Sequence, residues 1–186
     1  MPSSASESIP YIIEFARKNK PNLTSVLDVG VGFGKGAFLF REYFDAKTFH
    51  RFKPEDWQLK IVGVEIYEDY LSQVQKLIYD EIIIGDIFNV MPKLGKFDLA
   101  ILSDIIEHFP KEKGHELLQK LFEHVDDIVI ATPNGLLSKD LEEDNEHEKH
   151  KSGWEIKDFG NYNVIDKAII PRIRKKEEVL VVYLRK

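Results

Sequence analysis

Residues 26–36 read VLDVGVGFGKG, with four glycines in seven residues directly behind an apolar run that ends in Asp28. Glycine serves where a chain must turn sharply or let a ligand approach its main chain, so this loop is a holding site. Two phosphate-binding patterns do not fit it. A P-loop needs GxxxxGK[ST], whereas the spacing from Gly30 to Lys35 is one residue short and Ala37 has no hydroxyl to offer a metal ion. A dinucleotide fingerprint needs GxGxxG, and from Gly30 that spacing puts Lys35 where the third glycine belongs. A second reactive stretch is SDIIEHF, residues 103–109, in which His108 follows Asp104 by four positions. An imidazole titrates near neutrality and can remove a proton from a substrate. The competing reading of His108 is a helix-capping or packing role, and Glu107 reads as solvated. A third stretch, HEKH, spaces His147 and His150 three residues apart. No Glu or Asp arrangement there matches a known zinc signature, so no metal is expected. His150 and Trp154 instead read as the end of a charged segment that closes over a substrate, against the plainer reading of a solvated loop.

The elements that must position these residues alternate along the chain. Short, nearly all-apolar runs at SVLDVG, KIVGVEI, EIIIGDI, KFDLAILSD and DDIVIATPNG are strand-like, and helix-like or connecting segments separate them. Residues 7–20 and KEKGHELLQKLFEHV carry helical spacing, and KGAFLFREYF shows a stripe at Phe38, Leu39 and Tyr43. Strands apolar on both faces and joined through helices imply a parallel sheet covered on both sides. The closing stretch YNVIDKAIIPRIRKKEEVLVVYLRK reads as two long strands joined by a basic turn, which must pair antiparallel. Residues 46–60, with Phe49, Phe52 and Trp57 among basic neighbours, read as an insertion that covers the sheet edge or forms a homodimer contact, and residues 138–153 as a charged loop or lid.

The chain of 186 residues suits one domain spanning 1–186, with residues 1–6 a disordered lead. It has no cysteine, which excludes disulfides, iron–sulfur clusters and a thiolate nucleophile. No run approaches the ~20 apolar residues of a membrane span, and the start lacks the pattern of a secretory signal, so a cytoplasmic location is expected. The net charge of −6 argues against nucleic acid as the main partner.

The stretch DVGVGFG, Asp28 to Gly34, resembles the first motif of class I S-adenosylmethionine-dependent methyltransferases, and three further stretches agree with that family in order and position: GVEI, GDI and LSDIIEHF. The resemblance covers roughly residues 23–186. It implies a Rossmann-like doubly wound α/β sheet, mostly parallel, of seven strands in order 3-2-1-4-5-7-6 with the last strand antiparallel. It implies S-adenosyl-L-methionine as cofactor. Gly30, Gly32 and Gly34 would let the main chain pass its methionine part, and Asp28 would accept from its ammonium. Glu65 would accept both ribose hydroxyls, with Ile66 beside the adenine. Asp86 would accept from the adenine amino group, with Ile87 against the ring. Ser103 would lie near the methionine end and Asp104 at the mouth. His108, Asp104 and His150 form the expected catalytic set. Cytosine C5 methylation is excluded by the lack of cysteine, and the [DNS]PP[YFW] stretch common in base amino methylation is absent. That leaves a small-molecule, sugar, lipid-precursor or protein acceptor, of which a small molecule is expected, with oxygen favoured as the methylated atom. The rivals are a non-catalytic binding module on the same fold and an NAD(P)-dependent oxidoreductase.

Overall fold

A computed structural model describes residues 5–135, 149–172 and 177–186 of the chain. Seven strands form one sheet: β1 (Ser25–Val29), β2 (Lys60–Glu65), β3 (Glu81–Ile84), β4 (Phe97–Ser103), β5 (Val125–Pro133), β6 (Asn163–Pro171) and β7 (Glu178–Arg185). Their order is β3-β2-β1-β4-β5-β7-β6, as the resemblance implies. The first five pair in parallel, and β7 runs antiparallel to both β5 and β6. Parallel neighbours require covered crossovers. These carry α2 (Lys35–Phe40), α3 (Gln73–Ile78), α4 (Ile87–Val90) and α5 (Lys111–Leu121), while α1 (Ile9–Asn19) precedes the sheet.

Alternating residues of the central strands feed two apolar layers. Val26, Ile61, Leu99, Ile101 and Val129 face one side, against α1 and α2. Leu27, Val62, Ala100, Leu102 and Ile130 face the other, against α5. This two-sided burial explains why the strands read as continuous apolar runs. No helix among the described residues is long and apolar enough to cross a membrane.

Four expectations change in detail. The buried face of α2 and the π-helical turn after it (Arg41–Lys47) is Ala37, Phe40, Arg41 and Phe44, spaced i, i+3, i+4, i+7, so Phe38 points outward. The insertion is anchored by charge as well as by rings. Asp45, fully buried, accepts from the main-chain N–H of Gln58 at 2.8 Å and pairs with Arg41 at 3.2 Å, and the Arg41 guanidinium lies 4.7 Å from the Trp57 ring centroid. Ala5, placed by expectation in a disordered lead, is buried, and its N–H donates to Asp104 at 3.0 Å; the rest of that lead up to residue 4 lies outside the described residues. Of the charged segment 138–153, residues 138–148 also lie outside them. Its described end packs down rather than extending into solvent, because Trp154 is fully buried.

Candidate active site

Parallel strands end on one edge of the sheet, where ligands bind at the point at which strand order reverses. Here β1 and β4 are neighbours, and an open cleft lies at their ends. Its floor is the glycine loop with Asp28, its side is Ser103 at the end of β4, and its cover is Ile9, Ile12 and Ile13 of α1.

Each part of the loop has a local cause. Gly30, Gly32 and Gly34 have φ of 85°, 48° and 77°. At Gly30 a Cβ would also stand 2.1 Å from Cδ1 of Ile105. Gly30→Ala is therefore expected to cost about 1–3 kcal/mol, from left-handed strain plus displacement of Ile105. Urea unfolding measures this, and a change below half a kilocalorie would show that the loop is not held as described.

Two buried acids, Asp28 and Glu65, stand at this loop. Glu65, the last residue of β2, is buried; it accepts from the N–H of Gly32 at 3.0 Å through Oε2 and from that of Tyr67 at 3.1 Å through Oε1. Asp28 is buried and accepts from the Tyr79 hydroxyl at 2.5 Å. Burial first, and then the negative charge of Glu65, push the Asp28 carboxyl up to about 7 against the opposing pull of the Tyr79 hydrogen bond. Tyr79 gave no signal in the sequence, since a tyrosine at a helix end reads as packing. At the next strand end Asp86 caps α4, accepting from the N–H of Phe88 at 2.8 Å. Ile87 is buried beneath it, and Ile66 is exposed.

Beyond β4 the chain makes a tight turn. Asp104 has φ 52°, a left-handed conformation that Asp tolerates better than most residues. A 3₁₀ turn, Ile106–His108, follows. Here the structure corrects the reading of Glu107 as solvated: it is 1% exposed. Its Oε2 accepts from the Thr132 hydroxyl of β5 at 3.0 Å. Burial, and next the charge of Asp104, hold its carboxyl well above the usual carboxylate range. Its main-chain oxygen accepts from the N–H groups of Lys151 at 2.8 Å and Ser152 at 3.1 Å, which ties down the far end of the charged segment. That tie brings His150 to His108, their ring centroids 4.9 Å apart. His108 and His150 are thus neighbours across 42 residues of chain, with Asp104 acting on Glu107 beside them, whereas His147 lies outside the described residues.

Trp154 does not enter this site. Its indole packs into the layer beneath α5, where Gly114 leaves room for it; a Cβ on Gly114 would stand 2.5 Å from Cζ2. Trp154 therefore anchors the segment that carries His150.

No protein-family model matches the chain, and no curated protein matches it in sequence. Solved structures do match it in fold. The N-methyltransferase NodS from Bradyrhizobium japonicum WM9 superposes with a TM-score of 0.69 at 10% identity, over 97% of this chain and 94% of that one. Burkholderia thailandensis 1,6-didemethyltoxoflavin-N1-methyltransferase, with its substrate and S-adenosylhomocysteine bound, gives 0.69 at 14%, over 98% and 79%. Magnesium protoporphyrin IX methyltransferase from Synechocystis PCC 6803, with S-adenosylmethionine bound, gives 0.64 at 14%, over 96% and 78%. The chain has the fold these methyltransferases share.

Proposed function

We propose that this chain is an S-adenosylmethionine-dependent methyltransferase whose acceptor is a small molecule, methylated at oxygen. The observation that carries the reading is the glycine loop with two buried carboxylates, Asp28 and Glu65, at its back. The fold likeness supports it, because structures of this fold hold that cofactor or its demethylated product.

The donor set fits the cofactor. S-adenosylmethionine carries an ammonium, a ribose diol and an adenine, and no phosphate. Asp28 suits the ammonium, Glu65 offers two acceptor oxygens to the diol, and Asp86 suits the adenine amino group. Lys35, where a dinucleotide fingerprint has its third glycine, weighs against a dinucleotide. When bound, the cofactor supplies a methyl group on a sulfonium, and transfer then depends mainly on alignment and exclusion of water. Ile9, Ile12 and Ile13 cover the loop side, and Ser103, which lines the cleft, directly precedes the turn that carries Asp104, Glu107 and His108. Oxygen is favoured because a hydroxyl must lose a proton in order to be methylated, whereas a neutral amine need not lose one before attack. Imidazoles and carboxylates at this end of the cleft serve that need. A plain binding module would have no use for them.

Calorimetric titration of the purified protein with S-adenosylmethionine, S-adenosylhomocysteine and NADH tests the cofactor. The first two are expected to bind and NADH is not. Glu65→Ala is expected to weaken both by about 10- to 100-fold, the cost of losing hydrogen bonds to a charged acceptor. Failure of a folded sample to bind either methyl-transfer ligand would overturn the reading.

A further inference from the structure

Glu107, His108 and His150 form a group just past the end of β4, beyond Ser103, which lines the cleft. One carboxylate oxygen and one ring nitrogen from each histidine lie within 4.8 Å of one another. Donor atoms about 2.1 Å from one ion stand up to roughly 4 Å apart, so the three close around an ion with side-chain shifts of less than an ångström. Glu107 supplies an independent pointer. It is 1% exposed, and its Oε1 has no hydrogen-bond partner among the described residues. The charge that bears on it is the negative one of Asp104, whose carboxyl also shares a hydrogen bond with that of Glu107. A buried carboxylate oxygen beside a second acid calls for a positive partner. Thr132 meanwhile fixes the other oxygen, as residues behind a metal ligand do.

We propose that Glu107, His108 and His150 bind one divalent transition-metal ion at the mouth of the cleft. Two imidazoles and one carboxylate suit Mn²⁺, Fe²⁺, Co²⁺ or Zn²⁺ and leave positions open for oxygen donors. The ion site stands on its own; its role at the acceptor rests on the methyl-transfer reading. In that role the ion holds an acceptor hydroxyl toward the cleft. Transfer forms one O–C bond, breaks the S–C bond and sends the hydroxyl proton to solvent. The two histidines then act by holding the ion rather than by taking the proton themselves. This reverses the expectation of no metal, which weighed His147 and His150 as a pair in sequence and did not bring Glu107 and His108 to them.

The test needs no acceptor and no cofactor. The full chain, stripped with chelator, is titrated with Mn²⁺ and followed by electron paramagnetic resonance, then challenged with Zn²⁺. One saturable site is expected, and Zn²⁺ should displace Mn²⁺ as the general order of metal affinities requires. His108→Ala and His150→Ala are expected to weaken Mn²⁺ binding at least about tenfold, with folding checked by circular dichroism. His150 is only half-buried, so its variant reads out binding even if a change at buried Glu107 disturbs folding. His124→Ala, at a half-buried site elsewhere, should leave binding unchanged. The proposal is overturned if folded wild type takes up neither ion saturably. That is also the result expected if a proton, shared between Glu107 and Asp104, fills the role given to the ion. Uptake unchanged in both histidine variants would overturn it equally, while leaving the cofactor titration to stand or fall separately.

Discussion

Trp154→Ala is expected to lower the unfolding free energy by about 3–5 kcal/mol, the range for truncating a large buried aromatic. The indole is fully buried, with the Phe159 ring centroid at 5.3 Å and His115 edge-on at 5.0 Å. The Lys111 ammonium sits 4.1 Å from its ring centroid. Its Nε1 donates to the Ser152 hydroxyl at 2.9 Å, and that hydroxyl donates to the carbonyl of Phe109 at 2.8 Å. The hole left by alanine is walled by helix α5 and the sheet, which cannot move in independently, so the cavity cost adds to the lost burial. Urea unfolding measures the loss; a change below about 1 kcal/mol would mean the segment does not pack here. A second effect follows at a distance. Trp154 also bridges to the strand end, with the N–H of Gly135 donating to its carbonyl at 2.8 Å. Freed of this anchor, residues 149–153 no longer hold His150 against His108. Mn²⁺ binding should then fall although no ligand has been touched.

The parallel strands were legible because burial on both faces writes itself as unbroken apolar runs, and the terminal hairpin because two adjacent long strands have one way to pair. The glycine loop was legible because its backbone demands a residue type. Other features were hidden for specific physical reasons. Glu107 sits in DIIEHF, where nothing in the local pattern separates a buried acid from a solvated one; its burial comes from Thr132 on a different strand and from the main chain of 151–152. Trp154 beside a glycine and charged residues resembled a lid tip, because the space that accepts it is created by Gly114, forty residues earlier. Tyr79 acts on Asp28 across 51 residues. The cover that α1 gives the cleft was invisible for a related reason: its apolar face reads as ordinary core spacing, and only three-dimensional placement shows that Ile9, Ile12 and Ile13 also wall a cavity.

Asp28 should make both stability and cofactor affinity depend on pH, in opposite senses. Its carboxyl titrates near 7 in the folded chain against an ordinary 3.8. The folded state thus holds this proton more tightly than the unfolded chain does. Its contribution to stability is fully present below about pH 4 and is lost as the pH rises through 7. Asp28→Asn cannot ionise and suffers no such loss. Between pH 4 and 8 the variant should gain about 4 kcal/mol relative to the parent. Urea unfolding of the pair at several pH values reads this directly, and parallel curves would show that Asp28 is ionised throughout. Binding runs the other way. An ammonium beside Asp28 stabilises the carboxylate, so on the proposed reading the ligand selects the ionised form. Affinity for S-adenosylmethionine should fall about tenfold for each pH unit below 7, and binding at pH 6 should release a proton. Calorimetry in two buffers of different ionisation enthalpy counts that proton. Constant affinity from pH 5 to 8 with no proton released would remove Asp28 from the ammonium and leave it as a buried acid that serves the fold alone. Tenfold steps with release would make the same residue the point at which the fold gives up stability near neutrality in order to meet a cation.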